Sequence, residues 1–245
     1  MRRRRARVAA ALLAVATGVV ALSGCSDAAA DEARPVTTEE SQLLAIARFS
    51  NFDTGTRAVS AALTDGGFDL TIEGYFDYRS ETGYVALGES GLPNSLLLWR
   101  EHTLYAHSPT GAKAPLPPPD TESGPNESWG SGPLDPTAST LHAALILIAE
   151  LGNDRPDNPL LLQQGGALWL RVDEVDGIPV TVFAGPTTTD AGGEAEESRL
   201  RYWVAADGLL LRVEAQLGAD WVAIDFGDAD GATIDALVDA PAATQ

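Results

Sequence analysis

A strict alternation of apolar and polar side chains between Phe68 and Tyr78 constrains the fold of this chain more than any other feature. Its even positions are apolar, apart from Gly74, and most of its odd positions are acidic or hydroxylated. Successive side chains of a strand point to opposite faces, so a period of two over eleven residues predicts a long antiparallel strand with one dry face. Gly74 in mid-strand predicts a bulge or bend.

Similar alternating runs predict two groups of about five strands each. The first group extends from Val59 to His107, and the second from Leu168 to Phe226. Asp-Gly pairs at Asp176-Gly177 and Asp207-Gly208 predict tight turns between strands of the second group. Both groups therefore consist of neighbouring antiparallel strands.

Helices are predicted ahead of each group of strands. Thr37 and Glu40 form a capping box, which predicts a helix over about Thr38–Phe49. Asp135-Pro136 has the residues of a helix start, and Gly152 those of a helix end. Within Leu141–Leu151 only His142 and Glu150 are polar, so this helix must be buried on more than one side.

Helices that precede two runs of strands predict an α+β domain, a large antiparallel sheet with helices laid on one face. We expect one domain over 37–230, with no clean internal boundary. It contains a long loop rich in Pro and Gly over 108–136, for which we expect disorder or a loosely draped flap. A C-terminal tail follows over 231–245.

The first 24 residues have the pattern of an export signal. Arginines up to Arg7 precede fifteen uncharged residues, Val8–Leu22, too few for a spanning helix. Leu22-Ser23-Gly24-Cys25 then resembles the bacterial lipobox. That resemblance implies cleavage between Gly24 and Cys25, a diacylglycerol on the Cys25 thiol and attachment to the outer face of the cell membrane. The alternative is an ordinary signal peptide with a chance cysteine, and the export route, Sec or Tat, stays open.

Cys25 is the sole cysteine, which excludes an intramolecular disulfide. The segment 25–36 is small and acidic and is predicted to be a flexible tether. Five of the sixteen basic residues lie before Cys25, so the mature chain would set 11 bases against 35 acids, a net charge of −24. Such a surface repels phosphate backbones, and nucleic acid is excluded as a partner.

The order of these segments resembles the LolA/LppX/LprG-like family of bacterial envelope lipoproteins. The resemblance rests on the lipobox, the Thr37–Phe49 helix, the segment Val175–Phe183 and the hairpin from Tyr202 to Val213. It implies a half-barrel sheet whose concave face holds helices and encloses an apolar cavity for acyl chains. It implies no catalytic residues and names no ligand.

Apolar residues on these elements are candidates for the lining of a lipid pocket, although a half-buried sheet needs such stripes as ordinary core. The all-apolar Leu141–Leu151 helix favours a pocket, because its second side needs a cover, which could be the long loop or an acyl chain. The candidate lining residues are Leu70, Ile72, Phe76, Leu98, Leu145, Ile148, Leu168 and Leu211.

Catalytic and metal sites find little support. No nucleophile motif is present, and His102, His107 and His142 are scattered. We predict no catalytic residues, no metal and no cofactor beyond the covalent lipid on Cys25.

Two functions are therefore expected ahead of an enzymatic one. The first is a membrane-anchored lipoprotein that binds or transfers lipid. The alternative is a non-catalytic binding or sensory domain with a filled core and an unknown protein partner.

Overall fold

The structure, a computed structural model, describes residues 32–89, 95–107, 129–189 and 195–234. These described residues belong to one compact unit. The helices are α1 (Thr38–Thr54), α2 (Thr140–Glu150) and α3 (Pro159–Gln164). The strands are β1 (Arg34–Pro35), β2 (Thr56–Asp65), β3 (Phe68–Asp77), β4 (Thr82–Glu89), β5 (Ser95–Arg100), β6 (Thr103–His107), β7 (Gly130–Pro133), β8 (Leu168–Val175), β9 (Ile178–Ala184), β10 (Thr188–Thr189), β11 (Ala195–Glu196), β12 (Leu200–Ala205), β13 (Leu210–Leu217) and β14 (Asp220–Asp228).

Twelve of these strands form one antiparallel sheet in the order β1-β8-β9-β12-β13-β14-β2-β3-β4-β5-β6-β7. The two groups of strands meet where β14 pairs with β2, with Phe226 opposite Val59. The expected fold class, α+β with helices packed on one face of a large antiparallel sheet, is confirmed. Among the described residues, no helix has the length and apolar character needed to cross a membrane.

The sheet buries side chains on both faces. We call the helix-covered face inner and the opposite face outer. Along β3, even residues such as Ile72 and Phe76 point inward and join the main core cluster. The outer face carries two smaller clusters, one around Tyr84 and Leu98 and one around Trp203.

Both long helices differ from their predicted bounds. The α1 helix has the predicted capping box but continues to Thr54, where the Gly55 N–H donates to the carbonyls of Asn51 and Phe52. The expected start of α2 at Asp135-Pro136 is wrong. There the Asp135 carboxylate accepts from the Thr137 N–H and closes a turn instead, and the helix begins at Thr140 after the cap Ser139.

The expected tether and long loop also have different bounds. The sheet already includes Arg34 and Pro35, and Val36 is buried with its N–H donating to the Ala167 carbonyl, so the tether ends before Arg34. The loop expected over 108–136 contains an edge strand, β7, followed by the buried Leu134. Residues 108–128 lie outside the described part of the chain.

The expected bulge at Gly74 is absent, since β3 pairs with both neighbours in continuous register through that residue. Close approach of backbone requires the glycine instead. A Cβ built there would lie 2.3 Å from the Tyr84 carbonyl oxygen. No side chain can be accommodated at that distance without moving β4.

Candidate functional site

Helix α2 packs on the inner face of the sheet and contributes to the main core cluster. From the helix, Leu145 and Ile148 are 0% exposed, and from the sheet, Ile72 and Phe76 are equally enclosed. These residues belong to one cluster that also takes in Leu44 and Ala47 of α1. The predicted requirement that α2 be covered on more than one side is met only in part, because Leu141, Ile146 and Leu147 stay half-buried.

The structure brings five of the eight candidate lining residues together. Leu70, Ile72, Phe76, Leu145 and Ile148 share the inner cluster. The other three lie elsewhere. Leu98 faces outward on β5, Leu211 joins the outer cluster around Trp203, and Leu168 is half-buried at the start of β8.

Both ends of α2 are held by polar contacts, whereas its middle is held by apolar packing. At the start of the helix, the Thr140 N–H donates to the Asp65 carboxylate over 3.2 Å. At its end, Arg48 and Asn51 of α1 donate to the carbonyls of Glu150 and Leu151 at 3.0 Å each. Sequence reasoning missed these anchors, because a partner 100 residues away leaves no local pattern.

The inner cluster contains a buried donor without an acceptor. Trp99 is 1% exposed, and its indole N–H has no hydrogen-bond partner in the described part of the chain. Its ring lies beside Phe76, with centroids 5.5 Å apart, and covers Gly83, where a Cβ would come within 2.3 Å of it. A buried polar group left unpaired costs about 1–3 kcal/mol, so such a group calls for an explanation.

Two hydroxyls of the β3–β4 turn share this property. The Tyr78 and Ser80 hydroxyls are buried and lack a partner among the described residues. Burial raises the pKa of the Tyr78 phenol well above its usual range, so the group stays a neutral donor. The Asn51 amide, which accepts from Arg57 and donates to the Leu151 carbonyl, lies close to this phenol and opposes part of the rise in its pKa.

A shallow groove of about 390 Å³ crosses the outer face over β2, β3 and β14. Small residues such as Ala58 and Gly227 form its floor. Its charges include Glu73 and Asp225, and Asp225 accepts a hydrogen bond from Arg212 and raises the pKa of that guanidinium.

Two of the three histidines make local structural contacts. His107 stacks on Trp129, with ring centroids 5.3 Å apart. The Nδ1 atom of His142 accepts from the Asp135 N–H over 3.2 Å. Within the residues that the structure describes, no three His, Cys, Asp or Glu side chains are grouped to hold a metal ion.

Comparisons with known proteins return solved structures alone, since no family model and no curated protein matches the chain. The lipoprotein LppX of Mycobacterium tuberculosis is 12% identical, with 73% of this chain and 90% of that one covered at a TM-score of 0.40. LprF from Mycobacterium bovis is 14% identical, with 79% and 94% covered at a TM-score of 0.42. A DUF1329 family protein from Desulfovibrio piger is 14% identical, with 78% and 91% covered at a TM-score of 0.30.

LppX is a member of the family that the sequence of this chain resembles. At these identities and TM-scores, the likeness carries no ligand, partner or site residue over to this chain.

Proposed function

We propose that this chain is an exported, lipid-anchored envelope protein that holds a lipophilic molecule between α2 and the inner face of its sheet. The observation that carries this proposal is the buried indole N–H of Trp99, which has no acceptor among the described residues and lies in a cluster of mainly apolar side chains. A ligand with an apolar chain and a polar oxygen would match both features. The chain would replace contacts of Leu145 and Ile148, and the oxygen would accept from Trp99.

Entry of such a ligand requires the middle of α2 to move, because Leu145 and Ile148 are fully buried against the sheet. Each buried CH₂ group contributes about 0.8 kcal/mol, so a long acyl chain offsets the cost of this opening. The polar contacts at both ends of α2 can stay in place during such a movement. The ligand then stabilises a more open state that the free protein populates weakly.

The anchor is supported by the lipobox residues Leu22-Ser23-Gly24-Cys25 behind a short apolar segment. Two acyl chains on one cysteine give about the affinity that stable membrane attachment needs. A Cys25→Ser variant should therefore leave the membrane fraction and carry no acyl mass. Retention of this variant on membranes would contradict the anchor.

Native mass spectrometry of the full lipidated protein, released from membranes in mild detergent, tests ligand binding. We expect an adduct of lipid mass in addition to the covalent acyl groups. Trp99→Phe keeps an aromatic ring but removes the N–H donor. We expect the affinity for an added fatty acid to fall by about tenfold, the effect of losing one hydrogen bond. Trp221→Phe, the same change at an exposed site, should leave binding unaltered. A chain free of adducts that also ignores added lipid would refute the proposal.

A second function is favoured by the dense packing of the inner cluster. Five of the candidate lining residues are buried against one another, as in an ordinary core. A domain with such a core would act through its surface, as a binding or sensory module with a protein partner. Absence of lipid adducts, combined with normal thermal unfolding of Trp99→Phe, would favour this second function.

A further inference from the structure

Two adjacent leucines of α3 are unusually exposed. Leu160 and Leu161 are 61% and 63% exposed, whereas Leu162 packs against the main core. The helix Pro159–Gln164 contains no charged residue. Single exposed leucines are common on soluble proteins, but a neighbouring pair on an uncharged helix forms an apolar projection.

This projection stands beside the point where the chain enters the fold from its N-terminus. Arg34 and Pro35 pair with the first two residues of β8, directly after α3. The Val36 N–H donates to the Ala167 carbonyl over 3.3 Å, and the Gln163 amide contacts the Thr38 hydroxyl over 3.5 Å. The start of the domain is thus fixed against the end of α3.

Other exposed apolar side chains lie at the same end of the sheet. A row of cross-strand pairs runs across the sheet from β8 to β14 and joins Leu168, Ala184, Arg201, Glu214 and Ala223. The first residues of β8 and β14 therefore lie at the same end of the strands. We call this end of the sheet the entry rim. Phe68 and Trp221, both exposed, belong to this rim as well. Each of these two aromatics has an aspartate next to it in the sequence, Asp69 and Asp220, whereas helix α3 contains no acidic residue.

Three acids close to α3 are paired in a protein that is otherwise strongly acidic. Asp157, two residues before the helix, accepts from Arg48 over 3.2 Å, and Asp154 accepts from Arg155 over 3.1 Å. At the chain entry, Glu40 accepts from Arg34 over 2.7 Å, whereas the neighbouring Glu39 is exposed. The three ion pairs lessen the repulsion that net negative charge would exert at a lipid surface.

We propose that Leu160 and Leu161 insert into the surface of the membrane that holds the Cys25 anchor, so that the entry rim faces the bilayer. This inference rests on the lipid anchor of the proposed function. Eight residues lie between Cys25 and Arg34, and a fully extended chain of that length spans at most about 30 Å. Such a short tether keeps α3 within reach of the lipid, and apolar side chains at an interface penetrate by about 5–10 Å.

The test uses the lipidated full chain, in which acylation consumes the Cys25 thiol and an introduced cysteine is the sole free thiol. Leu161→Cys carries an environment-sensitive fluorophore, and the protein is reconstituted into neutral phosphatidylcholine vesicles. We expect a blue-shifted emission and loss of most of the fluorescence when the lipid carries bromine at a shallow acyl position. Ile178→Cys, an exposed aliphatic site at the opposite rim, should show neither effect.

A second substitution and three alternative results test whether α3 contacts the membrane. Addition of Leu160→Asp to the labelled Leu161→Cys protein should return the emission to its aqueous value, while the protein still floats with vesicles through its anchor. Equal quenching at positions 161 and 178, or a blue shift without quenching by brominated lipid, would overturn the contact. The latter result would indicate a second protein copy on α3. Failure to float would refute the anchor and the contact together.

Discussion

At the scale of single residues, Arg57 is a cation buried in the interior of the fold. It is 2% exposed, and its guanidinium donates to the Asn51 amide oxygen at 2.7 Å and to the carbonyls of Gly227 and Leu210 at 2.9 and 3.1 Å. Burial lowers the pKa of this guanidinium. Since its partners belong to α1, β13 and β14, Arg57 joins four elements, counting its own strand β2.

We predict that Arg57→Met lowers the free energy of unfolding by about 2 kcal/mol or more, because the two buried acceptors, the Asn51 amide oxygen and the Leu210 carbonyl, lose their donor at about 1–3 kcal/mol each. Urea denaturation followed by circular dichroism measures this loss. Arg155→Met is the matched control, because Arg155 is exposed and pairs with the neighbouring Asp154. This control should change stability by less than about 0.5 kcal/mol. Equal stability of the two variants would contradict the role of Arg57.

At the scale of elements, the Glu40 carboxylate at the start of α1 both caps the helix and binds Arg34, where the chain enters the fold. The Glu40 carboxylate accepts from both terminal nitrogens of Arg34 at 2.7 and 2.8 Å and from the Thr37 N–H at 2.8 Å. The Arg34 hydrogen bonds lower the pKa of Glu40 from 4.5 to about 2, opposed by partial burial and assisted by the bonds with Thr37. Arg34 also lies over the Trp169 ring, which ties β1 to β8.

We predict that Glu40→Gln costs about 1 kcal/mol of unfolding free energy at pH 7, the sum of a weakened cap and a partly exposed ion pair. A carboxyl with a depressed folded-state pKa stabilises the fold above its unfolded pKa and loses that contribution as the pH falls. The difference between wild type and Glu40→Gln should therefore shrink between pH 4.5 and about 2.

Urea titrations at pH 7 and at successive values below pH 4.5 measure this difference. Glu39→Gln removes the same charge from the same helical turn and is the control. Parallel pH profiles for the wild type and Glu40→Gln would contradict the assignment.

At the scale of the whole molecule, the short segment of residues 229–234 after β14 covers part of the outer face of the first group of strands. After β14, the chain turns back, and Ile234 becomes fully buried against the cluster of Tyr84, Ala86, Leu96 and Leu98. That cluster lies on β4 and β5, which precede Ile234 by about 140 residues. The C-terminal segment thus gives the sheet a second covered face.

We predict that Ile234→Ala lowers the unfolding free energy by about 2–4 kcal/mol, the range for large-to-small changes in a core. Differential scanning calorimetry or urea denaturation of the full chain measures the change. Leu161→Ala removes a similar side chain at an exposed position and should stay within about 0.5 kcal/mol of the wild type. A neutral Ile234→Ala variant would show that the segment is not part of the core.

Sequence patterns predicted the direction of side chains correctly where one face of a strand is buried and the other is exposed to solvent. The inward residues of β3, including Ile72 and Phe76, follow directly from their alternation. The same reasoning misplaced Leu98, because β5 reads Ser-Leu-Leu-Leu-Trp-Arg and is apolar on both faces. Its outer face is covered by Ile234 and its inner face belongs to the main core, so neither face shows a polar pattern.

Leu211 shows a second reason for misplacement. The register between β12 and β13 shifts between Trp203 and Val204, and Leu211 falls at this irregularity. Two successive residues, Leu211 and Arg212, then share the outer side. A bulge depends on the partner strand, so period-two counting along a single strand cannot locate it.

The sequence by itself determined the capped start of α1, the hairpins and the fold class, because each depends on residues close together in the chain. Only the tertiary structure decided the pairing of β14 with β2, the burial of Arg57, the unpartnered Trp99 and the position of α3 beside the chain entry. These features join residues far apart in sequence, and their free energies arise from burial and pairing that no local pattern records.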